Sequence, residues 1–179
     1  MPKIKVIIPK RRNKQIGEVF DKTWLATYPN AEYGITVDDI LDHIEKRHQR
    51  MKGSKVDTIK NPPKGETFLI AKEGIKVVGV CRVIVKDDRN QLQAIYILPE
   101  NQGKGIGSLL WQEAQKYLDS GKDVYVELAV YNKNALEFYK KFGFTDTGRR
   151  IQDEKLRMKS GNVIPEMEMI LKRKQHGRI

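Results

Sequence analysis

From Gln102 to Ser108 the chain reads Gln-Gly-Lys-Gly-Ile-Gly-Ser, and the chemistry of such a stretch is anion binding. The apolar segment Leu92 to Leu98 before it reads as a strand and stops at Pro99. After it, Ile106, Leu109, Leu110, Ala114, Tyr117 and Leu118 recur at helical spacing. A glycine-rich turn between strand and helix leaves backbone N–H groups unpaired at the positive end of a helix dipole, where a phosphate is the natural occupant. Glycine serves there because a side chain would hold backbone and phosphate apart. Two familiar loops are excluded by the letters. A Walker A loop needs Ser or Thr after its lysine, and Lys104 is followed by Gly105. A dinucleotide fingerprint needs glycine where Ser108 stands, and no acidic residue closes a second strand about 20 residues on. What is present is Gln-x-x-Gly-x-Gly, on Gln102, Gly105 and Gly107.

A second group of candidate residues runs from Asn132 to Phe144. It follows Val124 to Val130, a nearly continuous apolar run that suits a buried central strand. Asn132 stands at a strand-to-helix junction, where its side chain can cap the helix. Ala135, Phe138, Tyr139 and Phe142 share one helical face, Gly143 suits a left-handed cap, and Phe144 begins the next strand. Glu127 is the only ionised side chain inside the apolar run. Alternation places it with Tyr125 and Ala129, opposite Val126 and Leu128. A carboxylate there must meet water, a cation or a ligand, and a buried setting would raise its pKa toward values useful in proton transfer. Pairing with a nearby Lys or Arg is the equal alternative.

Gln102-x-x-Gly105-x-Gly107, followed by Asn132-x-x-Ala135-x-x-Phe138-Tyr139 and Gly143-Phe144, resembles the two signatures of the GNAT superfamily of N-acetyltransferases. The resemblance implies an α/β fold of the α+β kind. It has a central mixed, mostly antiparallel sheet flanked by helices, in the order β-α-α-β-β-β-α-β-α-β-β. It implies one domain over residues 1–179, with a core of about 3–173 and a short basic tail at 174–179. The implied reaction is acetyl transfer from acetyl-coenzyme A to a primary amine: a protein or peptide N-terminus, a lysine, a polyamine or another small amine. The amine must be neutral to attack a thioester, so a general base is useful. By the resemblance, Tyr139 donates a proton to the departing thiolate. The spacing of Glu127, Asn132 and Tyr139 is similar to that of the ribosomal-protein alanine acetyltransferases, where the Glu position is the base; Glu100 and Tyr96 are the alternatives. The backbone of Gln102, Gly103, Lys104, Gly105, Ile106 and Gly107, with the Ser108 hydroxyl, would hold the pyrophosphate, and Lys104 would reach a phosphate. Tyr96, Ile97 and Leu98 would pair with the pantetheine amides where their strand splays from the next one. Asn132 would meet the far end of the coenzyme.

In the superfamily the acceptor is chosen by the segment between the first two helices and by the last hairpin. The first, Thr27 to Ile35, offers Tyr28, Glu32 and Tyr33, which could hold a cationic amine. The second, Arg149 to Pro165, carries Arg149, Arg150, Lys155, Arg157 and Lys159, and is expected to repel a polyamine and favour a peptide or an acidic small molecule. The acceptor stays open among these classes, and an acyl group other than acetyl, such as succinyl, stays open with it.

The elements that must position these residues follow from the remaining pattern. Lys3 to Ile8 reads as a first strand, and Ile16, Val19, Phe20, Trp24 and Tyr28 form a helical stripe that ends before Pro29. Thr36 and Asp39 read as a capping box. Val37, Ile40, Leu41, Ile44, His48 and Met51 then share a core-facing side, with His43 pointing away. Gly53 to Lys64 is a loop, and Thr67 to Ala71 pairs with Ile75 to Val85 across Lys72-Glu73-Gly74. The last strands lie near Phe144-Thr145 and over Glu166 to Leu171.

Lys plus Arg total 34 against 23 Asp plus Glu in 179 residues, a net charge of +11, so the field favours anions. Coenzyme A is itself polyanionic and accounts for such a field. The basic residues are spread out, with small clusters at Lys10-Arg11-Arg12 and Lys172-Arg173-Lys174, and no nucleic-acid-binding motif appears. A non-catalytic acyl-coenzyme A sensor, or an RNA- or ribosome-associated module, is therefore the weaker reading; a homodimer stays open. No run of about 18 apolar residues suggests a membrane span, and the basic stretch Met1 to Lys5 lacks an apolar signal core. The single cysteine, Cys81, fits a reducing cytoplasm and reads as a buried thiol, with a covalent acyl-cysteine as the alternative. His43, His48 and His176 lack metal-ligand spacing, so no metal is expected.

Overall fold

Val- and Ile-rich segments alternate with amphipathic ones along the chain, and the computed structural model, which describes residues 3–54 and 57–173, turns them into strands and helices in the expected order. The strands are β1 (Ile4–Ile7), β2 (Glu66–Glu73), β3 (Lys76–Val85), β4 (Asn90–Ile97), β5 (Val124–Ala129), β6 (Thr145–Ile151) and β7 (Glu166–Leu171). The helices are α1 (Lys14–Thr27) and α2 (Val37–Gly53) after β1, α3 (Ile106–Ala114) between β4 and β5, and α4 (Lys133–Lys141) between β5 and β6. All seven strands form one sheet in the order β1-β2-β3-β4-β5-β7-β6. Among the described residues only β4 and β5 run parallel; every other neighbouring pair is antiparallel. The basic tail expected at 174–179, with Lys174 and His176, lies outside the described residues, as do Met1 and Pro2.

Local chemistry fixes the helix ends. Asn13 accepts from the Ile16 N–H and starts α1. Thr36 and Asp39 make the expected reciprocal capping box at α2. Asn132 accepts from the Ala135 N–H at 3.1 Å and starts α4. That helix closes where Gly143 adopts φ +89 and the Phe144 N–H reaches back to the Tyr139 carbonyl at 3.1 Å.

The main core lies beneath α3 and α4, where Val124, Val126 and Leu128 of β5 meet Leu110, Trp111, Tyr139 and Phe144. Phe138, Phe142 and Trp111 interlock there with centroid separations of 5.1 and 6.4 Å. A second cluster, with Tyr28, Ile35, Ile40, Ala129, Met158 and Ile164, joins the α1–α2 connection to the β6–β7 hairpin. Asp39 fastens it: buried within this contact, its carboxylate takes the Ser160 N–H at 2.7 Å and the Ser160 hydroxyl at 2.9 Å.

Three expectations about faces are corrected. On α2 the inward side is Ile40, His43, Ile44 and Arg47, whereas Val37 and Leu41 are 55% and 48% exposed. The histidines are accordingly exchanged: His43 stacks on Trp24 at 4.3 Å, and His48 is exposed and bonded to Asp21 at 3.0 Å. Helices α1 and α2 pack through an aromatic side chain and a guanidinium stem, which a reading of aliphatic periodicity alone misses. On α3 the buried residues include Trp111, while Leu109 is exposed. That helix also stops at Ala114, and a 3₁₀ turn carries Gln115–Tyr117.

Candidate active site

The sheet opens where β4 meets β5. Their ladder holds only for Asn90↔Val124, Gln91↔Tyr125 and Leu92↔Val126, and then ends. Asn90 pins the closed end. Its side-chain amide donates to the Asp119 and Lys122 carbonyls, each at 2.8 Å, and its carbonyl oxygen accepts from the Asp119 N–H at 3.0 Å. Against β3, the register jumps from Arg82↔Ala94 to Val83↔Leu92, which leaves Gln93 as a bulge residue. A bulge bends its strand and adds local twist, and here it turns β4 away from β5.

The resulting cleft has a volume of about 540 Å³ and runs from the 102–108 loop past Tyr96 and Ile97 to Glu127, Asn132 and Tyr139. At the loop end, Gly103 and Gly105 adopt φ +75 and +77, a region closed to most side chains. Gly105 is the N-cap of α3 and, among the described residues, no side chain caps the helix, so its first N–H groups keep their bonding capacity. The buried Asn101 Oδ1, which also lines the cleft, has no partner among the described residues. An uncapped helix start, left-handed glycines and an orphaned acceptor fit a phosphate-bearing ligand with N–H donors further along.

The structure distributes the expected loop residues unevenly. Gln102, Gly103, Gly105, Ile106, Gly107 and Ser108 line the cleft, and Lys104 does not. The Gln102 amide donates to the Ile97 carbonyl at 3.2 Å, tying the loop to the end of β4. Gly107 has a packing reason of its own, because a Cβ there would lie 3.0 Å from the Phe138 ring, so the glycine lets α3 and α4 approach. Ile106 is buried in the core and can offer only its backbone. Of the three strand residues, Tyr96 and Ile97 line the cleft; the Leu98 side chain is buried and its N–H bonds the Val78 carbonyl at 2.9 Å.

At the opposite end Tyr139 lines the cleft, 6% exposed, and burial holds its hydroxyl far above the ordinary tyrosine pKa. No hydrogen bond of that hydroxyl is present among the described residues. Glu127 also lines the cleft, but it is exposed and not buried, where the sheet opens beside β5. The elevated carboxyl lies next door, on β7. Glu166, paired with Ala129, is pushed up to about 7 by burial and by the charges of Glu127 and Asp153. Sequence reasoning missed it because Glu166 opens an amphipathic strand in which nothing marks one acid from the next. Glu100 is excluded as a base by its setting, since it is exposed and bonded to Lys76 at 3.2 Å. A hydrogen bond from its own backbone and the Lys76 ammonium hold its carboxyl below the ordinary range. Tyr96, raised by burial, is a wall and a poor proton acceptor.

Of the residues expected to meet the acceptor, Tyr28 lines the cleft, with its hydroxyl 3.5 Å from that of Tyr96. Tyr33 packs at a tilt against Tyr131 with centroids 5.1 Å apart, and the Tyr131 hydroxyl donates to the Tyr28 carbonyl at 2.8 Å. Glu32 is exposed and reaches none of them. The basic hairpin is corrected more deeply. Arg149 is paired with Glu168, Arg150 with Asp146, Arg157 with Glu154 and Lys159 with Asp38. Its positive charge is largely matched locally. Cys81, on β3, is fully buried and burial pushes its thiol up, which removes the chemical basis for an acyl-cysteine. Among the described residues no group of three His, Cys, Asp or Glu is placed to hold a metal ion, and no helix is long and apolar enough to cross a membrane.

Comparison with known proteins gives this geometry a context. Residues 64–146 match the profile of the acetyltransferase (GNAT) domain. An uncharacterised N-acetyltransferase of Methanocaldococcus jannaschii is 37% identical over 65 residues, a segment covering 35% of this chain and 29% of that protein. Among solved structures, the PaiA N-acetyltransferase of Thermoplasma acidophilum in complex with coenzyme A superposes with a TM-score of 0.69 at 21% identity, over 93% of this chain and 98% of the other. The ribosomal-protein-S18-alanine N-acetyltransferase of Escherichia coli gives 0.60 at 12% identity, over 99% and 100%. These last two likenesses are of fold.

Proposed function

We propose that the chain is an acetyltransferase of the GNAT superfamily and that it transfers an acetyl group from acetyl-coenzyme A to a primary amine by direct attack in the β4–β5 cleft. The observation that carries the reading is the joint placement of three features on one cavity: the uncapped glycine loop, Tyr139 and Glu127. Bound acetyl-coenzyme A would supply the thioester. The N–H groups of Gly105 to Ser108, at the start of α3, hold its phosphates, and the edge of β4 around Tyr96 and Ile97 receives the amides of its arm. Asn132 keeps its side-chain carbonyl on the Ala135 N–H, which leaves its amide group to face the ligand.

Proton movement falls to the other end. An amine that arrives protonated must lose its proton before it attacks. Glu127 lines the cleft and accepts that proton, directly or through water. Glu166, pushed up to about 7 by burial and by the charges of Glu127 and Asp153, is the second carboxyl at this end. Tyr139 keeps its proton at neutral pH because of burial, so it serves as donor to the departing thiolate.

The test is release of coenzyme A thiol from acetyl-coenzyme A, measured against amines, peptides with varied N-termini, lysine peptides and aminoglycosides. Tyr139→Phe should lower kcat by about 10²–10⁴, the usual worth of general acid catalysis, with coenzyme A affinity retained. Unchanged turnover in this variant would remove Tyr139 from the chemistry. Failure of the parent protein to bind coenzyme A would remove the whole reading.

A further inference from the structure

A second cavity, of about 360 Å³, lies between α1, α2 and the face of β2–β4, and it shares Gln93, Ala94 and Tyr96 with the cleft. An acceptor whose amine reaches the thioester past Tyr96 has its remaining body beside this cavity. The wall nearest the shared residues is aromatic. Phe20 meets Tyr96 edge-on at 5.3 Å and stacks with Phe68 at 6.4 Å. His43 stacks on Trp24 at 4.3 Å, and burial lowers its pKa, so at neutral pH it adds ring surface without charge.

Beyond the rings the lining becomes cationic. Arg12, Arg47 and Arg82 stand there with Glu66, and the Asp57 carboxylate lies against Arg12. Arg82 is committed to Glu66 through bonds of 3.0 and 2.6 Å. Arg47 contacts Asp21 and lies 5.1 Å from the Phe20 ring centroid, yet its Nε–H is buried with no acceptor among the described residues. A buried charged donor without an acceptor is costly, and a ligand oxygen would satisfy it. The other side of the shared wall has the opposite sign. Glu127 and Asp153 both lie close enough to act on Glu166, and none of the three forms an ion pair among the described residues.

We propose, on the acetyltransferase reading above, that the acceptor is a small zwitterion in which an apolar body separates a primary amine from a carboxylate. The amine is received beside Glu127, the body lies on Phe20, Trp24 and Tyr96, and the carboxylate meets Arg47. A diamine of the same length would place its second ammonium among guanidinium groups, and a plain alkylamine would leave the Arg47 Nε–H unpaired.

Aminohexanoate, hexylamine and diaminohexane differ only in the far group, and Trp24 in the cavity wall reports binding by fluorescence while Trp111 stays buried. With the full chain, aminohexanoate should bind at least about tenfold more tightly than either analogue, a difference of one charge-assisted hydrogen bond. The preference should vanish in Arg47→Lys, which keeps the charge and can keep the Asp21 contact but lacks the Nε–H. Ile44→Phe, which narrows the cavity from α2, should weaken all three ligands together. Tighter binding of diaminohexane, equal binding of the three, absence of saturable aminohexanoate binding, or preference for a peptide N-terminus would each overturn the proposal. The titration needs no turnover, so this failure is distinct from failure of the acetyltransferase reading, which would appear as loss of coenzyme A binding.

Discussion

Replacing Gly105 by alanine isolates what the loop backbone contributes. A Cβ at this position would meet nothing within 4 Å, so no clash enters the argument. What remains is conformational: φ is +77, and an L-residue held in the left-handed region costs roughly 1–2 kcal/mol. The residue caps α3 and its neighbours line the cleft, so a loop that relaxes out of this conformation loses the alignment of its N–H groups. If the ligand must restore it, the cost falls on binding. At about 1.36 kcal/mol per factor of ten, coenzyme A should then bind about 5- to 30-fold more weakly. Gly74 supplies the control, because it sits in the β2–β3 turn at φ +60 with the same open space around its Cβ. Gly74→Ala carries a similar strain outside the cleft lining and should lower thermal stability while leaving coenzyme A affinity alone. Calorimetric titration with coenzyme A, paired with thermal denaturation of both variants, separates the two effects. Parental affinity in Gly105→Ala, or equal weakening in Gly74→Ala, would refute the assignment of the loop as the phosphate seat.

Further outcomes follow from the buried polar groups. Glu166 has a folded-state pKa of about 7 against an ordinary 4.5, so its protonation favours the folded protein. That contribution is complete below 4.5 and is lost as pH rises through about 7. Glu166→Gln should therefore flatten the fall of melting temperature over this interval, and an unaltered pH profile would show that the carboxyl is not held as described. Asp39 behaves in the opposite sense. Burial would raise its carboxyl, but the N–H groups of Thr36 and Ser160 and both hydroxyls outweigh it, and the pKa is lowered from 3.8. Its stabilisation is present above 3.8 and disappears in acid as pH falls through the lowered value. Asp39→Ala should cost about 2–3 kcal/mol at neutral pH, the scale of hydrogen bonds to a charged group, and denaturant titrations of variant and parent should converge in acid. Asn90→Leu strands the Asp119 and Lys122 carbonyls and the Asp119 N–H. A loss of about 2–4 kcal/mol in urea unfolding is expected from several buried groups left unpaired; a loss under about 0.5 kcal/mol, the range of an ordinary surface change, would mean that Asn90 does not pin the cleft.

The element order was legible because each piece carried its own punctuation: Thr36 with Asp39 before α2, Pro99 after β4, Asn132 and Gly143 at the two ends of α4. The cleft was legible as a motif, in Gln102, Gly105, Gly107 and Tyr139, but its cause was not. The bulge at Gln93 depends on the register between two strands, which no local pattern in Leu92 to Leu98 encodes. Charge misled for a related reason. Arg149, Arg150, Arg157 and Lys159 look like an excess when read in a row, yet folding places an acid against each of them. Glu127, Asp153 and Glu166 look unremarkable when scattered, and the sheet register gathers them. His43 and His48 exchanged roles because a ring stacked on Trp24 satisfies burial as well as an aliphatic side chain does.

The opening between β4 and β5 is held against a real cost. Past Leu92 and Val126 the facing strand edges have no ladder partners among the described residues, and each buried backbone group without one costs about 1–3 kcal/mol. Part of that cost is met inside the protein. The Ile97 carbonyl accepts from both the Thr23 hydroxyl at 3.3 Å and the Gln102 amide at 3.2 Å. Gln102 thereby does two things at once: it satisfies the frayed end of β4 and fixes the loop that follows. The Asn90 bonds act at the closed end in the same way, so the two strands are clamped below and propped apart above. Between clamp and prop the edge groups stay available, and water or a ligand of extended, amide-bearing shape can pair with them. A cleft built from strand edges is thus selective for a backbone-like arm before any side chain is consulted. On the function proposed above, Glu127 and Tyr139, among the side chains that line it, are then left for proton chemistry.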